Sequence, residues 1–226
     1  ILCFTRYLSN FDFINIFNNT LEQISLTSSL KQLRLNSKFD RLRVLDISDN
    51  ELQKFDIKTA KFPALQYFEI KNTFLKSLDL DDDESPLPKI TSIKILSNRY
   101  FENASFLELT LPTLTTINIS HCKIKHVTKI WQMDSLKELD LSNNLLEEFI
   151  AGEDSRLPKL AKAKFDSNLM RVFDMKFCVA NWLTSLCMSN NLLEELRLPP
   201  LPKIEVLELC KCAALLSIQL PHRVEY

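Results

Sequence analysis

The sequence predicts an α/β solenoid, a horseshoe of coils stacked side by side. Each coil gives one short strand to a parallel sheet on the concave face. The convex connections are mostly irregular or 3-10. Three observations predict this. A five-point apolar frame recurs along the chain, successive copies start 21 to 25 residues apart, and a Leu-Pro or Phe-Pro pair precedes most of them. Repetition at this period marks a stacked array, because no unit of two dozen residues can bury its own apolar face.

The frame is clearest in Leu42-Arg-Val-Leu45-Asp-Ile47-Ser-Asp-Asn50-Glu-Leu52, with apolar residues at offsets 0, 3, 5 and 10 and Asn at offset 8. It recurs at Leu136, Leu139, Leu141, Asn144 and Leu146, and at Leu160, Ala163, Phe165, Asn168 and Met170. Further copies are Leu183 to Leu193 with Asn191, Ile90 to Tyr100 with Asn98, and Phe11 to Leu21 with Asn19. Thr73, Cys122 and Cys212 take the Asn place in the copies that begin at Leu65, Leu114 and Ile204. This pattern resembles the leucine-rich repeat family, and the resemblance covers nearly the whole of residues 1–226 as one solenoid of about nine to ten repeats.

Each element has a physical reason. Offsets 3 and 5 point the same way along a strand, so both enter the core. Offset 8 lies where the chain turns away. A buried Asn there can satisfy backbone groups that would each cost about 1–3 kcal/mol if left unpaired. Offset 13 is apolar again (Ile24, Phe55, Leu78, Val127, Phe149, Phe173, Leu196) and is expected to close the convex side. Pro63, Pro88, Pro112, Pro158 and Pro202 fix φ and disfavour helix in the residue before them.

Two irregularities stand out. From Phe11 to Leu42 is 31 residues, although Leu30, Leu33 and Leu35 start another frame. That spacing predicts either residues lacking between about Asn36 and Phe39 or a short insertion. Neither end shows an obvious capping repeat, and Leu220-Pro221 announces a further strand, so the chain reads as a fragment of a longer one. The acidic run Asp81–Glu84 reads as a solvated loop.

Composition narrows the function. Lys plus Arg is 28 and Asp plus Glu is 29, which gives no electrostatic case for a nucleic-acid partner. No apolar run is long enough to insert into a membrane. A single glycine, Gly152, excludes the glycine-rich phosphate and dinucleotide loops. His121, His126 and His222 have no accompanying nucleophile motif, so no catalytic set is expected. Six cysteines allow pairing, but Cys122 and Cys212 sit about four repeats apart in the same column and cannot meet. Neither Cys210-Lys-Cys212 nor His121-Cys122 with His126 makes a convincing metal site, and no cofactor is expected. Cys187 is expected on the exposed strand face.

The candidate site is the concave strip. Offset 4 presents Asn15, Asp46, Glu69, Lys94, Asn118, Asp140, Lys164, Cys187 and Glu208. Offset 6 presents Phe17, Ser48, Lys71, Leu96, Ser120, Ser142, Asp166, Ser189 and Cys210. Of these, Asp46, Glu69, Lys94, Asp140, Lys164 and Glu208 are the expected contacts for a protein partner. The strip is about 40 Å long at the spacing of parallel strands, enough for a standard interface. Asn18, Asn103 and Asn118 begin glycosylation sequons.

The resemblance is strongest to irregular extracellular arrays, such as Toll-like receptor ectodomains and secreted invertebrate immune proteins. It implies an extracellular, non-catalytic recognition scaffold in innate immunity. An alternative is cytoplasmic: the recognition region of a nucleotide-binding immune receptor, to whose repeats Leu201–Cys212 is similar, or an adaptor of the phosphatase-regulatory kind.

Overall fold

The computed structural model describes residues 2–4, 13–16, 21–26, 29–35, 38–57, 61–78, 87–109, 111–127 and 133–219. Strands are numbered in chain order. Ten form one parallel sheet, in the order β1 (Leu2–Phe4), β3 (Gln23–Leu26), β5 (Val44–Asp46), β7 (Tyr67–Lys71), β8 (Ser92–Leu96), β9 (Thr116–Asn118), β10 (Glu138–Asp140), β12 (Lys162–Lys164), β14 (Ser185–Cys187) and β16 (Val206–Glu208). This sheet lines the concave face. Its pairing puts Leu45, Phe68, Ile93, Ile117, Leu139, Ala163, Leu186 and Leu207 in one row. Offset 3 therefore stacks on offset 3 throughout, as the period of the frame requires.

The convex side is more ordered than the sequence suggests. Around offset 13 a second parallel ladder forms in two pieces. One contains β2 (Phe13–Ile16), β4 (Gln32–Leu35) and β6 (Lys54–Asp56). The other contains β11 (Glu148–Ile150), β13 (Val172–Asp174), β15 (Glu195–Arg197) and β17 (Ser217–Gln219). Among the described residues the only helix is a 3-10 turn at Ser105–Glu108. The Leu-Pro pairs have a definite task. The N–H at the frame start donates to the carbonyl three residues earlier: Leu65 to Phe62 at 3.2 Å, Ile90 to Leu87 at 3.2 Å, Leu160 to Leu157 at 3.0 Å. Proline takes the second place of each of these turns, where its fixed φ fits.

The register corrects one frame. Phe13–Ile16 pairs with Gln32–Leu35 in the second ladder, and Ile24 pairs with Leu45 in the main sheet. A coil thus starts at Leu21, and Leu30, Leu33 and Leu35 are its convex residues. Leu21 to Leu42 is an ordinary 21-residue step, so neither missing residues nor an insertion near 36–39 is needed. Residues 36 and 37 lie outside the described set; just after them, Phe39 N–H donates to the Lys61 carbonyl of the next coil at 2.8 Å. The misreading has a simple cause: both ladders alternate apolar residues with the same period of two. Asp81–Glu84 and Leu220–Tyr226 also lie outside the described residues.

A second correction concerns offset 10 of the coil that starts at Ile90. Phe101, fully buried, fills the core place assigned above to Tyr100, which is 40% exposed. The coil carries one extra residue here. Phe101 N–H donates to the Asn98 carbonyl at 2.9 Å, and the resulting turn pushes Arg99 and Tyr100 outward.

Two columns hold the coils together. In the offset-8 column, Asn144 Nδ2 donates to the carbonyls of Ile119 (2.6 Å) and Leu141 (3.0 Å), and its Oδ1 accepts from Ile124 N–H at 3.0 Å. Asn168 and Asn191 repeat this arrangement one and two coils on. Cys122 substitutes with weaker sulfur bonds to Ile95 and Ser120 carbonyls. In the offset-7 column, Asp49, Asn72, Ser97, His121, Asn143, Ser167, Asn190 and Lys211 all have φ between 53° and 59°, although none is glycine. Asn and Asp tolerate this left-handed region better than other side chains. The conformation is held by intercoil bonds, such as Asp49 N–H to the Lys71 carbonyl at 2.8 Å and Asn143 N–H to the Asp166 carbonyl at 2.8 Å.

Candidate recognition site

Strand pairing places the offset-4 residues in a single row: Asp46, Glu69, Lys94, Asn118, Asp140, Lys164, Cys187, Glu208. Alternation along a strand means that offset 2 faces the same way as offset 4. This adds a row that the sequence reading omitted: Val44, Tyr67, Ser92, Thr116, Glu138, Lys162, Ser185 and Val206. Tyr67 is the consequential member. It is 52% exposed, and it supplies an aromatic anchor where the described residues at offsets 4 and 6 have none. Extending the alternation by one strand position would have found it.

The row divides into two groups. At the N-terminal end, Gln23, Ser25, Val44, Asp46, Tyr67, Glu69, Ser92 and Lys94 surround a depression of about 180 Å³. Three of the expected contacts, Asp46, Glu69 and Lys94, meet there around Tyr67. The other three, Asp140, Lys164 and Glu208, lie farther along with Glu138, Lys162 and Asp166.

The carboxylates are not all free for a partner. Asp46 Oδ1 accepts the Ser48 N–H at 3.0 Å, and Asp140 Oδ1 accepts the Ser142 N–H at 3.0 Å. These bonds tie the strand end to the turn. Asn118 Nδ2 reaches Asp140 Oδ2 at 3.4 Å, while its Oδ1 is buried without a partner. Asn118 is thus half-buried in the sheet beside a buried Ser120. Asn103 is exposed, and its Oδ1 accepts the Ser105 N–H at 2.7 Å. Asn18 lies outside the described residues.

Cys187 is not exposed as expected. It is only 7% accessible, packed beside Ser185 with its sulfur 3.7 Å from the Ser185 Oγ. Burial pushes the Cys122 and Cys178 thiols up to about 11, so both stay protonated at neutral pH. Such thiols are weak nucleophiles and weak ligands. Among the described residues, no three His, Cys, Asp or Glu side chains come together as a metal-binding group.

Burial also pushes the Asp166 carboxyl above its ordinary value. Its bonds to the Ser189 and Asp166 amides oppose the shift, and the charges of Glu208 and Asp140 add to it. A carboxylate with a raised pKa binds its proton more readily in the folded chain. It therefore subtracts stability at neutral pH, and the penalty fades as pH falls through the folded pKa. Asp166→Asn keeps the Oδ1 acceptor and removes the charge. Its urea midpoint is expected to exceed that of the parent at pH 7 and to converge with it near pH 4. A difference that does not change with pH would show that Asp166 is unstrained.

A Leucine Rich Repeat family model matches residues 135–157. The functional domain of InlJ from Listeria monocytogenes, whose structure includes a cysteine ladder, superposes with a TM-score of 0.56 at 17% identity, over 92% of this chain and 55% of that one. YopM from Yersinia enterocolitica WA-314 aligns at 17% identity over 93% of this chain and 62% of its own, with a TM-score of 0.34. The chain spans little more than half the length of the InlJ chain that it matches.

Proposed function

We propose that this leucine-rich repeat chain is a non-catalytic recognition scaffold whose concave strip binds a protein partner. The observation that carries the reading is the depression where Tyr67 stands among Asp46, Glu69 and Lys94. An exposed tyrosine flanked by both signs of charge is the composition of an interface centre, where aromatic residues anchor and charges set register. The continuous row from Ser25 to Glu208 extends that centre on both sides.

The finer reading is an extracellular role in innate immunity, as part of a receptor ectodomain or a secreted factor. An exposed sequon at Asn103 supports it. Protein from its native source is expected to carry hexosamine on Asn18 or Asn103, read by mass spectrometry. Unmodified sequons with free thiols would favour the cytoplasmic alternative, which the five unpaired cysteines among the described residues support. In that setting the scaffold would serve an immune switch protein or a phosphatase-regulatory adaptor.

The binding claim has its own test. A partner purified from native extract on the parent chain is titrated calorimetrically against Tyr67→Ala and Lys94→Glu together. The double change is expected to weaken it at least about tenfold, in line with the loss of an interface anchor. An unchanged dissociation constant would reject the strip as the binding face and leave the fold untouched.

A further inference from the structure

The extra residue at the Asn98–Phe101 turn creates a second surface, on the flank where each coil leaves the main sheet. Arg99 lies across two rings there. Its Cζ is 5.3 Å from the Phe74 ring centre and 4.9 Å from that of Tyr100, and the two rings meet edge to face at 5.9 Å. Lys123, from the next coil, sits 6.0 Å from the Tyr100 ring centre. Arg99, Tyr100 and Lys123 are all exposed. Stacking holds the guanidinium in one orientation while its N–H edges stay available for hydrogen bonds, so less freedom is lost when a carboxylate binds.

The surroundings sharpen the charge. Lys76 and Lys125 are exposed one coil to either side, two residues after the flank position. Among the described residues, none of Lys76, Arg99, Lys123 and Lys125 makes an ion pair. The exposed Glu102 is the acidic residue of the Ile90 coil's flank. In a chain of net charge −1, this is a local cationic excess.

The same column then turns aliphatic. After Phe74, Arg99 and Lys123 it continues as Leu145, Leu169 and Leu192, of which the last two are 42% and 45% exposed. Leu145 and Leu169 hold their places through the offset-9 amide, Leu145 N–H donating to the Ile124 carbonyl and Leu169 N–H to the Leu146 carbonyl, both at 2.9 Å. Four coil steps separate Arg99 from Leu192, which is about 19 Å at parallel-strand spacing, the reach of roughly six extended residues.

We propose that this flank is a docking surface for an extended segment of a partner protein, with acidic side chains against Arg99 and Lys123 and apolar ones against Leu169 and Leu192. The site is independent of the concave strip, because it faces a different side of the coils and shares no residue with it.

A random peptide library displayed on phage and selected on the immobilised full chain tests this. Enriched peptides are expected to carry Asp or Glu several residues away from Leu, Ile or Phe. Their affinity is expected to fall at least about tenfold in Arg99→Glu combined with Lys123→Glu, as for a lost charged anchor, and also in Leu169→Asp. It should weaken with added salt and stay unchanged in Tyr67→Ala. These side chains are exposed, so thermal midpoints near that of the parent confirm folding, and Arg99→Gln is a gentler second variant. Failure to enrich any peptide, or enriched peptides indifferent to Arg99→Glu, would overturn the proposal. So would sedimentation with phosphatidylserine vesicles, lost in Arg99→Glu, because it would assign the cations to a lipid surface.

Discussion

Phe173→Ala is expected to destabilise the chain by about 3–5 kcal/mol, the range for emptying a buried aromatic site. Phe173 is fully buried, with its ring centre 5.1 Å from Phe149 and 5.2 Å from Phe165. Phe149 and Phe165 are themselves 4.4 Å apart. The three rings come from the second ladder of two coils and the main sheet of one, so they join neighbouring coils across the core. In a solenoid each coil is stabilised mainly by its neighbours, and a void at this junction weakens the coils on both sides. The checks are the urea midpoint and hydrogen exchange. Protection should fall most across 138–174 and least across 44–70. Phe173→Leu, which keeps most of the volume, should cost well under half as much. A loss below about 1 kcal/mol, far less than such cavities cost elsewhere, would mean that the ring cluster does not join the coils.

The second large effect concerns the polar column. Asn144→Ala would leave the Ile124 N–H and the Ile119 carbonyl without this partner, while the Leu141 carbonyl keeps the Asn168 Nδ2 donor. Each unpaired buried group costs about 1–3 kcal/mol, so a total of roughly 2 kcal/mol or more is expected. Asn144→Cys should cost less than Asn144→Ala, because Cys122 shows that a thiol in this column still bonds the carbonyls of both its own turn and the preceding coil. Asn144→Asp should be at least as harmful as Ala, since it places charge in a buried site and loses both donors. Chemical denaturation of the three variants gives the order. Equal losses for Cys and Ala would show that shape, not hydrogen bonding, selects the residue at offset 8.

Much of this was legible before any coordinate. Leu45, Leu139 and Leu186 were placed in the core by spacing, and Asn50, Asn144 and Asn191 by the need for buried polar groups to find partners. Leu157 and Leu201 were placed by the prolines after them. The site was legible in part. The offset-4 row follows from alternation, so Asp46, Glu69 and Lys94 fall on one face. Their convergence around Tyr67 depends on which side chains crowd across neighbouring strands, and a single repeat does not contain that information. Cys187 shows the same limit. Its position in the strand points outward, yet its neighbours on adjacent coils cover it.

The errors share a cause. Phe13–Ile16 was read as main-sheet because two ladders with the same alternation cannot be told apart within one coil. Tyr100 was read as core because an extra residue shifts the frame by one without changing its hydrophobic look. The period, the direction of the buried side chains and the identity of the stacking residues are all local consequences of strand geometry and burial, so they are written in the residues themselves. Which ladder each segment joins, where Tyr67 meets its charged neighbours, and how the Arg99–Tyr100 turn stands out from the flank emerge only when the coils are assembled. Those depend on register between coils, which is set by hydrogen bonds and packing between residues more than twenty positions apart.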